Sequence, residues 1–148
     1  MTTQKIQIAV KATPEQVWDA LTNGKITPGY YIGGFEADFD LQPGKPYRYT
    51  VGGHETITGT VTEVEPGRRL VTTFQPRWDE SVAQLPESTV TYTIVDPPMQ
   101  FPGITYLTLV HGGLPEGPLA HNIEMGWVTI LSALKTLLET DVPMLGSS

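Results

Sequence analysis

At Leu119 the apolar residues of this chain change from a period of two to a helical one, and that change restricts the fold more than any other feature. From Phe35 to His111, apolar side chains recur at every second position between turn residues. Val90, Tyr92 and Ile94 alternate with Thr89, Thr91 and Thr93, and Ile57, Gly59, Val61 and Glu63 alternate with threonines. That period gives each strand two distinct faces. From Leu119 onward, Ile123, Trp127, Ile130, Leu131, Leu134 and Leu138 stand at helical spacing. They form one wide stripe on a helix of about six turns. An antiparallel meander followed by one long amphipathic helix is an α+β design, and the stripe has to be buried against one face of the sheet.

Local signals supply the other elements. Ile6, Ile8 and Val10 mark a half-buried strand over 4–10. Thr13-Pro14-Glu15-Gln16 offers an N-cap, a proline at the first helical position and a capping-box glutamine. A short helix with Val17, Trp18 and Leu21 on its apolar side therefore starts there and ends at Asn23-Gly24. Further strands are predicted over 35–40, 47–51, 55–64, 69–75, 88–95 and 104–110, separated by turns such as Gly52-Gly53 and Glu65-Pro66-Gly67. Residues 76–87 read as irregular, 96–103 as a proline-containing loop, and 112–118 as a Gly/Pro-rich connection. No repeat or linker interrupts this order, so residues 1–148 are expected to make a single domain.

Composition removes several classes of function. The chain has no cysteine, which excludes disulfides, thiolate catalysis and cysteine-ligated zinc or iron–sulfur clusters. A formal net charge of −7, with only 9 Lys and Arg, suits a polyphosphate backbone poorly, so nucleic acid is not an expected partner. The stretch Ile6–Val10 is too short and too alternating for a signal peptide. The apolar run Trp127–Leu138 is interrupted by Lys135 and is shorter than the ~20 residues of a membrane span. Membrane insertion is not expected, and a cytoplasmic location is.

Several segments, taken in order, resemble a known superfamily. They are Thr13-Pro14-Glu15-Gln16-Val17-Trp18-Asp19-Ala20-Leu21, Gly59-Thr60-Val61-Thr62-Glu63-Val64-Glu65-Pro66 and Arg69-Leu70-Val71-Thr72-Thr73-Phe74. After them come Ser88-Thr89-Val90-Thr91-Tyr92, Thr105-Tyr106-Leu107-Thr108-Leu109-Val110-His111, Gly126-Trp127 and Leu134-Lys135-Thr136-Leu137-Leu138-Glu139. The chain resembles the START-related, birch-pollen-allergen-like (SRPBCC) superfamily, in the branch of the C-terminal domain of the activator of heat-shock protein 90 ATPase. The resemblance implies a helix-grip fold: a curved antiparallel sheet wrapped around a long C-terminal helix, in the order β-α-β(about 6)-α. It also implies an apolar cavity between sheet and helix. Members bind lipids, polyketides and other apolar small molecules; some catalyse cyclisation or aromatisation, and others act on protein partners, so fold does not fix function. The co-chaperone members carry a further N-terminal domain, which is not expected here. The loop 96–103 is longer than this branch usually has and is expected to reshape the cavity mouth.

The expected function is binding of a small hydrophobic molecule. A cyclase- or hydrolase-type enzyme on an apolar carbonyl compound and a co-chaperone-like interaction module are the alternatives, and a homodimer or protein partner stays open. No cofactor and no metal are expected. The candidate ligand-binding residues are Tyr30, Tyr31, Tyr49, Trp78, Tyr92, Tyr106, His111 and Trp127, mostly aromatic side chains with a polar tip. Trp78 is the candidate lid. An enzyme would draw on His111, His121 and Glu124, the last two sharing a helix face, although their spacing fits no zinc signature. His54-Glu55 reads as an exposed hairpin tip, and Glu36 and Asp38 as solvent-facing. Arg48 faces away from Tyr47 and Tyr49, and would bind an anionic ligand only if turned inward. The stripe sets Trp127 between helix and sheet with its N–H on a strand carbonyl or polar side chain. Gly126 beside it is expected to let the sheet backbone approach.

Overall fold

The computed structural model describes residues 1–145. Strand β1 (Thr2–Lys11) leads into helix α1 (Pro14–Thr22), closed by the predicted capping box. The Thr13 hydroxyl accepts from the Gln16 amide at 3.1 Å, and the Gln16 side chain accepts from the Thr13 amide at 2.8 Å. A 3-10 turn (Thr27–Gly29) precedes β2 (Glu36–Phe39), β3 (Pro46–Val51), β4 (His54–Glu65) and β5 (Arg69–Pro76). Helix α2 (Glu80–Ala83) interrupts the meander before β6 (Ser88–Val95) and β7 (Ile104–Leu114), and α3 (Pro118–Thr140) ends the fold.

Among the described residues, seven strands form one antiparallel sheet in the order β1-β7-β6-β5-β4-β3-β2. The first strand pairs with the last, so the sheet brackets the whole chain. Register shifts at Thr2/Thr3, Tyr49/Thr50 and Val61/Glu63 bend individual strands. Gly59 permits a close approach within the sheet: a Cβ there would collide with the Thr73 carbonyl and the Tyr47 ring. Helix α3 runs alongside β1 in the same direction. Near its start the Gln4 amide donates to the Ala120 carbonyl at 2.7 Å, and near its end the Glu139 carboxylate accepts from the Lys11 amide at 2.9 Å. Lys135 adds a hydrogen bond to the Ala9 carbonyl at 2.7 Å.

Two boundaries differ from expectation. Strand β7 continues past Val110 to Leu114, because Gly112 pairs with both Thr3 and Thr89. Glycine composition reads as a turn, but two ladders hold the backbone extended there. Within 76–87, Asp79 caps α2, a helix of four residues that is too short to show a period.

Candidate functional site

The sheet's inner face carries Tyr47 and Tyr49 of β3, Ile57 of β4, Leu70 and Phe74 of β5, Val90 and Tyr92 of β6, and Leu107, Leu109 and His111 of β7. Opposite them, the C-terminal half of α3 is packed, with Leu131, Ala133 and Leu134 at most 1% exposed. The N-terminal half leaves a cavity of about 410 Å³ between Ile123, Gly126, Trp127 and Ile130 of α3 and Ile57 and Phe74 of the sheet. Its mouth is framed by Ile32, Gly33 and Phe35 on one side and by Trp78, Asp79, Ser81 and Val82 on the other. Ile32 and Trp78 remain 45% and 38% exposed, as residues at an opening are. Trp78 contacts Phe35 and Phe74, each with ring centroids 6.4 Å away, which places it at the mouth.

Asp79 is the one charged residue in the described lining, and its carboxylate is already engaged. It accepts from Ser81 and Val82 at the start of α2, and these hydrogen bonds hold its pKa below the usual range. Gly126 was expected to admit the sheet backbone. Instead a Cβ there would meet nothing within 4 Å, because the missing side chain opens onto the cavity.

Adjoining this cavity is a second, smaller void of about 10 Å³. Tyr31, Phe74 and Trp127 belong to both walls; Phe39, Tyr47, Tyr49, Thr72, Val90 and Tyr92 complete the inner one. Tyr31 and Tyr49 pack with ring centroids 4.8 Å apart. Burial raises the pKa of Tyr31 and Tyr49 well above 10 and pushes Tyr92 up to about 12, so all three stay protonated across the physiological range.

Trp127 lines both spaces, and its polar edge is fully accounted for. The indole N–H donates to His111 Nδ1 at 2.9 Å, and His111 Nε2 lies 2.7 Å from Ser88 Oγ. An indole only donates, so Nδ1 must accept and Nε2 must carry the proton. His111 therefore donates to Ser88, whose hydroxyl donates on to the Phe74 carbonyl at 3.3 Å. Burial lowers the His111 pKa to about 4. A serine beside a histidine suggests a nucleophile and its base, but here the proton sits on the wrong nitrogen. A donor occupies the position where a carboxylate would stabilise an imidazolium. The chain Trp127–His111–Ser88–Phe74 is a closed structural relay.

The candidate residues thus divide by position. Tyr31, Trp78 and Trp127 line the cavity, Tyr49 and Tyr92 line the inner void, and His111 stands behind Trp127. Tyr30 lies off both walls, its hydroxyl donating to the Ala20 carbonyl at 2.8 Å. Tyr106 pairs with Ala9 and Val95 on the outer face of β7, because the inward positions of that strand are Thr105, Leu107, Leu109 and His111. Period two shows that a strand has two faces without naming the inner one. The enzyme set is not assembled: His111 is buried, His121 is exposed, and no group of three His, Cys, Asp or Glu gathers as metal ligands among the described residues. Arg48 points outward, 3.5 Å from Asp38 and 3.6 Å from Glu55. The loop 96–103 leaves β6 at Val95, the far end from cavity-side Ser88, and contributes no lining residue. Sequence reasoning missed Phe74, Ile123, Ile130 and Gly126 as lining residues. A glycine inside an apolar helical stripe was the available signal for the last.

Sheet, C-terminal helix and the cavity between them define an α+β helix-grip domain of the START-related kind. The family model described as Activator of Hsp90 ATPase homolog 1-like protein matches residues 11–139, and the chain belongs to that family. Solved structures similar to it include the Aha1 dimer from Colwellia psychrerythraea (18% identity, TM-score 0.73, 95% of this chain and 98% of that one). An HSP90 activator from Plasmodium falciparum matches at 22% identity and TM-score 0.73, over 94% of this chain and 97% of that one. DynU16, a protein of the dynemicin biosynthetic locus, matches at 21% identity and TM-score 0.72 over 95% of this chain. This chain spans about half of DynU16, 48% of its length. No curated protein matches the sequence. No helix among the described residues is long and apolar enough to cross a membrane.

Proposed function

We propose that this domain binds a small apolar molecule between the sheet and the N-terminal half of α3. The observation that carries this reading is Gly126. A glycine in a helix interior forgoes about 1 kcal/mol relative to alanine, and here it faces open space instead of a close neighbour. A cavity of about 410 Å³ lies in the size range of small-molecule sites, and apolar and aromatic side chains dominate its wall. Native mass spectrometry of protein purified without added ligand tests the reading. The expected result is a noncovalent adduct of small-molecule mass that is lost on denaturation. Bare protein alone, with no uptake of an added apolar dye, would overturn it.

A second reading, a protein partner, has one specific observation in its favour. Met99 is 97% exposed and Phe101 56% exposed on the loop 96–103, beside Val95 at 49%. The similarity to an HSP90 activator makes a heat-shock protein 90 homologue the partner to try. Retention on such a protein that is lost in a Met99→Ser, Phe101→Ser variant supports this reading; equal retention of both proteins, or none, removes it.

A further inference from the structure

The inner void has a chemistry that the outer cavity lacks. Two neighbouring buried tyrosines illustrate the usual solution: Tyr30 donates to the Ala20 carbonyl and Tyr47 to the Thr73 carbonyl. Among the described residues, no backbone carbonyl takes the protons of Tyr31, Tyr49 or Tyr92. Their hydroxyls instead lie near enough to act on one another. Each of the three residues is at most 5% exposed. Buried hydroxyls are normally held by a fixed partner, and a cluster that has only itself can take one more oxygen without breaking a backbone bond. The void of about 10 Å³ is the size of about one water-sized group. It adjoins the outer cavity through the shared residues Tyr31, Phe74 and Trp127.

Charge narrows the choice further. No lysine or arginine lines either space, and the one carboxylate, Asp79, caps α2 at the mouth. A carboxylate or phosphate carried to the inner end would be buried without a counter-charge, at a cost that few ligands could offset. An uncharged carbonyl oxygen there would accept from a phenol, and a hydroxyl would both accept and donate, at little cost.

We infer that the occupant of this site is an uncharged apolar molecule bearing a ketone or hydroxyl oxygen, which seats between Tyr31, Tyr49 and Tyr92 while the hydrocarbon body fills the outer cavity. This inference rests on the cavity reading above and adds the ligand's polar function and its orientation. Three probes of one shape separate the two claims: 2-acetylnaphthalene, 2-ethylnaphthalene and 2-naphthoate, titrated by equilibrium dialysis into wild type and Tyr92→Phe. Tyr92 lines the inner void alone, and the variant loses only an oxygen, so the apolar contacts stay. The ketone should bind about tenfold tighter than the hydrocarbon in wild type, the value of one well-placed hydrogen bond. The carboxylate should bind more weakly than the ketone. In Tyr92→Phe the ketone should weaken about fivefold while the hydrocarbon stays within about twofold. Equal affinity for ketone and hydrocarbon, tightest binding of the carboxylate, or equal weakening of both neutral probes in the variant overturns the inference while leaving the cavity reading in place. Binding of none of the three overturns both.

Discussion

The two halves of α3 carry one continuous apolar stripe and come to opposite ends. Leu131, Ala133 and Leu134 are at most 1% exposed, whereas Ile123, Gly126, Trp127 and Ile130 border empty space. Trp127 forms the boundary between the open space and the core, being 4% exposed and held from behind by His111. The stripe's period is the same throughout, so period alone does not decide whether a helix is packed or merely faces a partner. The side chains present at each level differ. At the open half the helix gives up a side chain at position 126, and aromatic rings make much of the wall.

The largest expected effect falls on the residue at that boundary. Trp127→Ala removes a ring packed 5.9 Å from Phe74 and 6.4 Å from Tyr92 and strands His111 Nδ1. It should cost about 3–5 kcal/mol, read as a lower urea midpoint, against a total of ~5–15 kcal/mol for a typical domain. If the helix were open along its whole length, this variant would unfold like wild type.

Acid should act next, through the same relay. The folded pKa of His111 is about 4 against 6.5 in the unfolded chain, so the fold holds the imidazole neutral. Below about pH 6.5 the unfolded state binds a proton that the folded state refuses. The contribution is complete above that pH and falls away as pH drops towards 4, by about 3 kcal/mol in all. Denaturant midpoints measured from pH 7 to pH 4 in wild type and His111→Gln should show a steeper loss in wild type, and parallel slopes would contradict this.

Gly126→Ala sharpens the contrast between the halves. Alanine restores helix propensity at a position with nothing within 4 Å, so stability should rise by up to about 1 kcal/mol. A fall in thermal midpoint would mean that the sheet does pack against Gly126. The smallest stability effect is expected at Trp78, which is 38% exposed. Trp78→Ala should leave the urea midpoint within about 0.5 kcal/mol of wild type yet weaken binding of an apolar dye severalfold.

Much of this architecture was legible in the residues, and the gaps have physical causes. Thr13 and Gln16 announce α1 because a capping box is a local signal, and the switch of period at Leu119 announces α3. The need of a buried indole N–H for a partner anticipated the bond from Trp127, although only the fold could name His111. Tyr106 was grouped with the cavity residues because alternation gives a strand two faces of equal standing. Gly126 was read as a close approach because a helical glycine serves either a near neighbour or a void, and sequence does not distinguish them. The inner tyrosines come from three separate segments, at Tyr31, Tyr49 and Tyr92, and only the folded sheet brings their hydroxyls together.

The most direct measurement of the central claim is a fluorescence titration of Nile red, an uncharged apolar dye, into wild type and Gly126→Leu. The leucine side chain would project into the cavity from a position where a Cβ meets nothing within 4 Å, so the fold should persist. Saturable one-to-one binding by wild type, weakened at least about tenfold in Gly126→Leu at an unchanged or higher thermal midpoint, is the predicted result. Equal binding by both proteins, or no saturable binding by wild type, would contradict a ligand site between the sheet and the open half of α3.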